Sequence, residues 1–132
     1  MSSEIVSYLF GPEDGVPTSV APFSQATLCD GRLYVTGQMP IDPATNEVVP
    51  GGIAAQTDQV MRNLERVVTL CGSSLDRTVQ ARAYLTEFAR DYAAFNAAYA
   101  AWFPERLPSR TCIGVTALAV GALVEVDLVV IP

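Results

Sequence analysis

The sequence predicts an α+β domain in which a mixed β-sheet carries two helices on one of its faces. Segments with the two-residue alternation of strands precede, separate and follow two segments with helical spacing, in the order ββ(β)αβαββ. Half of the 132 residues are hydrophobic and only 17% are charged, so a sizeable core is expected. This length suits a single domain, taken as residues 1–132.

Short strands and turns make up the first third of the chain. Residues 4–10, EIVSYLF, are predicted to form a strand that the glycine- and proline-rich segment after it ends. The Asp30-Gly31 pair between two strand-like segments is a strong hairpin signal. Residues 42–52, DPATNEVVPGG, are predicted to be a loop.

The first helix is predicted from Ile53 to Cys71, with Gly72 ending it. Its apolar positions recur at helical spacing: Val60, Leu64, Val67, Val68 and Cys71. The next segment is predicted to be a strand with four apolar residues on one face, namely Val79, Ala81, Ala83 and Leu85.

A stripe of aromatic residues predicts the second helix within residues 88–103, and Pro104 marks its exit. Its members recur every three or four positions: Phe88, Tyr92, Phe95, Tyr99 and Trp102 or Phe103. We expect this stripe to be core rather than a ligand cage.

Residues 108–130 supply the last two strands, which Ala119 to Gly121 connect. With both helices on one face, the opposite face of the sheet needs another cover. A chain with few charges is expected to bury that face against a second subunit, which predicts a homo-oligomer.

The composition excludes several classes of chemistry. All eight basic residues are arginine, and there is no lysine or histidine. Serine and cysteine relays that need histidine, histidine-rich metal centres and Schiff-base enzymes are therefore excluded. The net charge of −6 argues against nucleic acid as a partner.

Cysteine usage and the N-terminus bear on localisation. Three cysteines without CxxC spacing suit free thiols in a reducing compartment. The N-terminus has no signal-peptide pattern, and no run of about 18 apolar residues occurs. We therefore expect a soluble, cytoplasmic protein without a membrane partner.

Arg110 and Glu125 stand out because they interrupt apolar strands. Alternation places Arg110 and Cys112 on one face of their strand, while Glu125 and Asp127 share a face of the last strand. Arg110 either pairs with one of these acids, within the subunit or across an interface, or stays partly free to hold a substrate carboxylate. In the second case Glu125 handles protons, since burial among valines raises a carboxyl pKa. Spacing alone does not choose between these readings.

Four blocks in order resemble the reactive-intermediate deaminase family, also called Rid or YjgF-like. They are APFSQA at 21–26, YVTGQMPIDPATNEVV at 34–49, FNAAYAAWF at 95–103, and PSRTCIGVTAL followed by VEVDLVV at the end. The resemblance implies a chorismate-mutase-like fold, a homotrimer with ligand clefts at its interfaces, and cofactor-independent hydrolysis of enamine or imine acids to 2-keto acids and ammonia.

The resemblance also implies roles for individual residues. Arg110 would bind the substrate carboxylate and Glu125 would position or activate water. Thr36, Gly37, Asn96 and Cys112 would line the cleft, with Cys112 contributing mainly through its backbone. As a nucleophile, Cys112 is disfavoured because no histidine can lower its pKa.

One pocket residue departs from the family pattern. Phe23 stands where deaminating members commonly have tyrosine, so the ring is kept and the hydroxyl is lost. The lost hydroxyl would cost about 1 to 3 kcal/mol if it bonds substrate or water. The alternative function is therefore a non-catalytic protein of the same fold that binds small carboxylates such as 2-keto acids.

Overall fold

The computed structural model describes residues 4–132. Its helices and strands follow one another along the chain as β1 (Val6–Tyr8), β2 (Ala26–Cys29), β3 (Arg32–Gln38), β4 (Ile41–Asp42), β5 (Glu47–Val48), α1 (Gly52–Leu70), β6 (Thr78–Leu85), α2 (Phe88–Ala100), β7 (Ser109–Gly114) and β8 (Val124–Val130). None of the helices in the described part of the chain is long and apolar enough to cross a membrane.

Six of the strands form one mixed sheet in the order β1-β2-β3-β8-β6-β7. Only β6 and β7 run parallel, and they are joined through α2; the other neighbours pair in antiparallel fashion. The last strand of the chain therefore lies in the middle of the sheet, between β3 and β6. Strand β7 is an edge strand, so the side of its backbone away from β6 has no strand partner in the described structure.

Both helices pack on one face of this sheet, which confirms the predicted α+β architecture. The core between them contains the apolar side of α1 together with the inward residues of the strands. On β8 these inward residues are Val124, Val126 and Leu128, whereas Glu125 and Asp127 alternate with them on the other face. The alternation predicted for this strand is confirmed.

Two turns form as their residues predict. Asp30 and Gly31 both have a positive φ, 50° and 70°, which is the backbone that a tight type I′ hairpin turn requires. At the end of α1, Gly72 has a φ of 83°, and the amide of Ser73 donates to the carbonyl of Val68. This closure is a Schellman motif, in which a glycine outside the helix accepts the left-handed conformation.

Two predictions of local structure were wrong. The segment predicted as a loop contains the small hairpin of β4 and β5, which is too short to show alternation in the sequence. Val79 was assigned to the buried face of β6 but is 46% exposed. The pairing of β6 with β8 shifts register between Thr78 and Gln80, and this irregularity turns Val79 away from the core.

The face of the sheet opposite the helices is uncovered in the single chain; we call it the open face. It carries Tyr34 at 45% and Ile113 at 47% exposure beside the polar side chains of β6 and β8. Large exposed apolar side chains on a sheet face are typical of a surface that another molecule covers.

Candidate functional site

Arg110 lies on the helix-packed face of the sheet, at its β7 edge. The register pairs Arg110 with Ala81 on β6, and Ala81 in turn with the core residue Leu128 on β8. Directly paired residues project to the same face, so the Arg110 side chain points toward α2. Its partly exposed guanidinium therefore meets the aromatic stripe of that helix.

Aromatic rings, not a carboxylate, hold the guanidinium. Its carbon lies 5.1 Å from the ring centroid of Tyr99, 5.6 Å from that of Phe95 and 5.9 Å from that of Tyr92. A nitrogen of Arg110, Nη2, also donates a hydrogen bond of 3.3 Å to the hydroxyl of Tyr92. Cation–π contacts of this kind orient a guanidinium without neutralising its charge.

Within residues 4–132, Arg110 forms no salt bridge. Asp127 is engaged elsewhere, since it accepts from Arg82 at 2.9 Å and from the hydroxyl of Tyr84 at 3.1 Å. Glu125 lies on the open face. The alternative in which Arg110 pairs with one of these acids inside the subunit is therefore wrong, while the alternative across an interface is not tested by a single chain.

Cys112 adjoins Arg110 on β7, and Asn96 follows Phe95, a ring that contacts Arg110, on α2. Cys112 is the next residue of β7 on the same face, and burial raises the pKa of its thiol although the positive charge of Arg110 opposes this. The thiol is thus protonated at neutral pH, which agrees with the expectation that Cys112 does not act as a nucleophile. Asn96 is one turn after Tyr92 on α2, and its buried Oδ1 has no hydrogen-bond partner in the described structure. A buried acceptor without a partner calls for a ligand, a water or another chain.

Glu125 occupies the open face, where it is half-buried. It pairs with Tyr84 of β6, which pairs with Ile113 of β7, so these three side chains share that face. Burial, and to a smaller extent the negative charge of Asp127, raise the pKa of the Glu125 carboxyl above its usual range. A carboxylate with a raised pKa is a better proton acceptor at neutral pH.

Gly37 and Thr36 lie on the side of the sheet where Glu125 is found. The carboxylate of Glu125 lies so close to Gly37 that a Cβ there would overlap Oε2. Thr36 donates its hydroxyl to the carbonyl of Ser24 at 2.5 Å, at the point where the β3–β8 pairing changes register. Phe23 and Gly37 both line a narrow cavity of about 20 Å³.

The residues assigned to one cleft therefore form two groups in the single chain. The Arg110 group consists of Arg110, Cys112, Asn96 and Tyr92 at the α2–β7 edge. The Glu125 group consists of Glu125, Gly37 and Thr36, and Phe23 lines a small cavity with Gly37. Arg110 and Glu125 project from opposite faces of the sheet, and β6 lies between their strands. One chain therefore does not present both to the same small molecule.

Tyr92 is the residue of this region that sequence reasoning missed. The aromatic stripe was expected to be core, and Phe95, Tyr99 and Phe103 are indeed buried. Tyr92 is instead 37% exposed and contacts Arg110. Its place four residues before Asn96, on the same side of the helix, was the available signal.

Other features of the described chain are weaker candidates for a functional site. A hollow of about 510 Å³ beside α1 has Arg66 at its wall, but Nε of that arginine already donates to the carbonyl of Asp14 at 2.7 Å. Within residues 4–132 no group of three or more Cys, Asp or Glu side chains is arranged to hold a metal ion. All three cysteines are free thiols.

Comparison with known proteins gives consistent matches. A family model described as Endoribonuclease L-PSP matches residues 15–131. A RutC family protein of Sulfurisphaera tokodaii is 39% identical over 113 residues, which are 86% of this chain and 90% of that protein. A protein of Bos taurus named 2-iminobutanoate/2-iminopropanoate deaminase is 31% identical over 115 residues, 87% of this chain and 83% of that protein.

The solved structures include similar folds. The crystal structure of YyfA from Yersinia pestis, described as a protein of unknown function of the conserved Rid protein family, superposes with a TM-score of 0.90 and is 31% identical. The superposition covers 98% of this chain and 100% of that one.

Proposed function

The chain belongs to the endoribonuclease L-PSP family, the Rid or YjgF-like family that its motifs resemble, and from this premise we propose that it hydrolyses reactive imine or enamine acids to 2-keto acids and ammonia. The relatives named 2-iminobutanoate/2-iminopropanoate deaminase support this reaction class. The observation that carries the proposal is the state of Arg110, a partly exposed guanidinium cradled by aromatic rings and without an acid partner in residues 4–132.

Arg110 would bind the substrate carboxylate. Its planar fork offers two parallel N–H donors to the two oxygens of a carboxylate, which fixes both position and orientation. The rings of Phe95 and Tyr99 beneath it exclude water from one side of the guanidinium. The acid is thereby held with its imine carbon at a defined distance from the rest of the cleft.

Glu125 would take the proton of the attacking water. As the water oxygen bonds to the protonated imine carbon, the carboxylate accepts a proton and the C=N bond becomes a C–N bond. Returning that proton to the amine nitrogen lets the C–N bond break. The electron pair leaves on ammonia, and the regenerated carboxylate of Glu125 takes the hydroxyl proton as the keto group forms. An enamine acid enters the same route when the protonated carboxyl of Glu125 donates a proton to its β-carbon, which gives the protonated imine and leaves Glu125 as the carboxylate. The raised pKa of Glu125 suits both directions of transfer.

The two groups of residues would meet between subunits. Because Arg110 and Glu125 project from opposite faces of one sheet, a shared cleft needs the Arg110 group of one subunit and the Glu125 group of its neighbour. The resemblance points to a homotrimer with three such clefts, and the exposed Tyr34 and Ile113 of the open face supply apolar surface to bury. We also propose the cytoplasm as the location, a choice that the three free thiols support.

An endoribonuclease activity, which the description of the family model names, fits this chain less well. A net charge of −6 gives little affinity for a phosphate backbone, and the chain has no histidine or lysine to act as the acid or base of a ribonuclease.

The binding-protein alternative is favoured by one observation, the missing hydroxyl at Phe23.

The test is the release of ammonia from 2-iminopropanoate formed in the assay from alanine by an amino-acid oxidase. We expect the protein to accelerate release, Arg110→Ala and Glu125→Gln to abolish most of the gain, and Arg62→Ala, an exposed arginine of α1, to leave it unchanged. No acceleration with any imine acid, together with pyruvate binding that Arg110→Ala removes, would establish the binding protein instead.

A further inference from the structure

Tyr92 lies at the solvent-exposed side of the guanidinium of Arg110, on the helix-packed face of the sheet. The other two rings that contact this guanidinium, Phe95 and Tyr99, are buried, whereas Tyr92 is 37% exposed. Its ring is fixed by stacking on Phe88 with a centroid distance of 4.6 Å and an interplanar angle of 23°. The hydroxyl of Tyr92 is therefore held beside the exposed edge of Arg110 rather than swinging in solvent.

The hydrogen bond between these residues leaves one donor unused. A phenol hydroxyl has a single proton to donate and lone pairs to accept. Nη2 of Arg110 donates into the oxygen of Tyr92, so the proton of Tyr92 must point elsewhere. In residues 4–132 it has no acceptor. Accepting a bond from a cationic group polarises the O–H bond and makes its proton a stronger donor.

We propose that the Tyr92 hydroxyl donates a hydrogen bond to the carboxylate held by Arg110 and is thus a substrate-binding residue of the carboxylate subsite. This inference rests on the proposed function. A carboxylate on the guanidinium fork accepts from Nη2, and the Tyr92 oxygen is 3.3 Å from the same nitrogen. A carboxylate oxygen has two acceptor directions, so it can receive both donors at once.

The other unpartnered hydroxyl near Arg110 does not fit this role. The hydroxyl of Tyr99 has no hydrogen-bond partner among residues 4–132, but Tyr99 is only 4% exposed and lies in the core cluster. Tyr99 supports the guanidinium from below, whereas Tyr92 borders the side from which a ligand arrives. Selectivity for anions over neutral amides follows, since a polarised hydroxyl and a guanidinium together favour a full negative charge.

The first measurement is the affinity for pyruvate, a stable 2-keto acid, by titration calorimetry on the full chain. We expect Tyr92→Phe, which keeps the ring and its cation–π contact, to weaken pyruvate binding about tenfold. Tyr8→Phe removes a tyrosine hydroxyl on β1, at the opposite edge of the sheet, and should leave the affinity unchanged. Circular dichroism and solution mass should match the parent for both variants.

The second measurement separates direct donation from a role in positioning Arg110. The five tyrosines are replaced by 3-fluorotyrosine, and the ¹⁹F signal of Tyr92 is assigned by its loss in Tyr92→Phe. Pyruvate should shift this signal, and its neutral amide, pyruvamide, should not. An unshifted signal at saturating pyruvate, or Tyr92→Phe affinity within twofold of the parent, would overturn the inference while the proposed function stands. If Arg110→Ala binds pyruvate as the parent does, the carboxylate subsite itself is wrong and both proposals fail.

Discussion

The carboxylate of Glu125 lies directly against the backbone of Gly37. An ideal Cβ at position 37 would be 2.8 Å from Cδ and 3.0 Å from Cγ of Glu125, and it would overlap Oε2. Glycine is therefore needed at this point of β3 to let the half-buried glutamate lie across the neighbouring strand. The relationship gives a physical reason why these two positions, far apart in the sequence, act as a pair.

Replacing Gly37 by alanine should displace the Glu125 carboxylate and reduce imine hydrolysis at least tenfold, approaching the loss in Glu125→Gln. The contact involves the flexible end of a side chain, so the free energy of unfolding should fall by only about 1 kcal/mol. Kinetics with 2-iminopropanoate and urea unfolding at fixed protein concentration measure the two effects.

Gly11→Ala is the matched control for that change. A Cβ at Gly11 also meets a glutamate carboxylate, since it would lie 2.9 Å from Oε2 of Glu13, but this glutamate belongs to neither group of candidate site residues. Hydrolysis by Gly11→Ala should equal that of the parent. Equal rates for Gly37→Ala and the parent would show that the placement of Glu125 against Gly37 has no part in the chemistry.

The ionisation of Glu125 should respond to Asp127. Asp127 raises the pKa of the Glu125 carboxyl through its negative charge, so Asp127→Asn should lower that pKa. The acidic limb of kcat/KM, where the proton acceptor becomes protonated, should then move to lower pH. A ¹³C titration of the side-chain carboxyl reports the same shift without substrate.

The exposed acid Glu65 on α1 provides the control for this titration. Glu65→Gln alters the net charge by the same amount without touching the β8 acids, and it should leave the limb in place. The electrostatic coupling between Asp127 and Glu125 would be contradicted if the acidic limb of kcat/KM moved equally in both variants. It would also be contradicted if the ¹³C signal of Glu125 titrated at the same pH with and without Asp127.

Alternation along strands and the helical spacing of apolar residues predicted both helices and the strands of the main sheet, but not the β4–β5 hairpin. They placed Val124 and Val126 inward and Glu125 outward, and Gly72 at the end of α1. Strand neighbours could not be read in this way, because pairing joins residues far apart in the chain. The irregularity that exposes Val79 depends on such a pairing, with β8.

The same limit applies to the candidate site. The motif resemblance selected Arg110 and Glu125. Alternation showed which neighbours on the same strand share a face with each of them, but it could not show whether Arg110 and Glu125 lie on the same face of the sheet. That relation required β6, which pairs with both β7 and β8. The contact of Arg110 with Tyr92 depends on how α2 packs over the sheet edge, and no local pattern encodes that distance.

Val120 is a strained residue in the connection between β7 and β8. It has a φ of 55°, which β-branched side chains rarely adopt, and it is 48% exposed. Val120→Gly should raise the free energy of unfolding by about 1 kcal/mol because glycine accepts this backbone without strain. Val79→Gly, an exposed valine in extended backbone of β6, should lower it. Urea unfolding curves compare the two, and a loss of stability in both would show that Val120 contributes contacts worth more than its strain.

Mixed oligomers test whether the Arg110 and Glu125 groups come from different subunits. Arg110→Ala and Glu125→Gln should each be inactive alone, since each leaves every cleft with one defective half. In the proposed trimer, reassembled from equal amounts of the two variants, a cleft is intact when its Arg110 half comes from the Glu125→Gln chain and its Glu125 half from the Arg110→Ala chain. Random assembly gives this combination in about one quarter of clefts.

We therefore expect mixing under conditions that exchange subunits to restore about one quarter of the parental rate of ammonia release. Mixing without exchange, checked by native mass spectrometry, should restore none. The recovery has no other source, because neither chain carries both intact groups and a cleft built from one subunit would stay defective in every mixture. Exchanged trimers without activity would place Arg110 and Glu125 in the same half of the cleft, against the opposite faces on which they lie in the single chain.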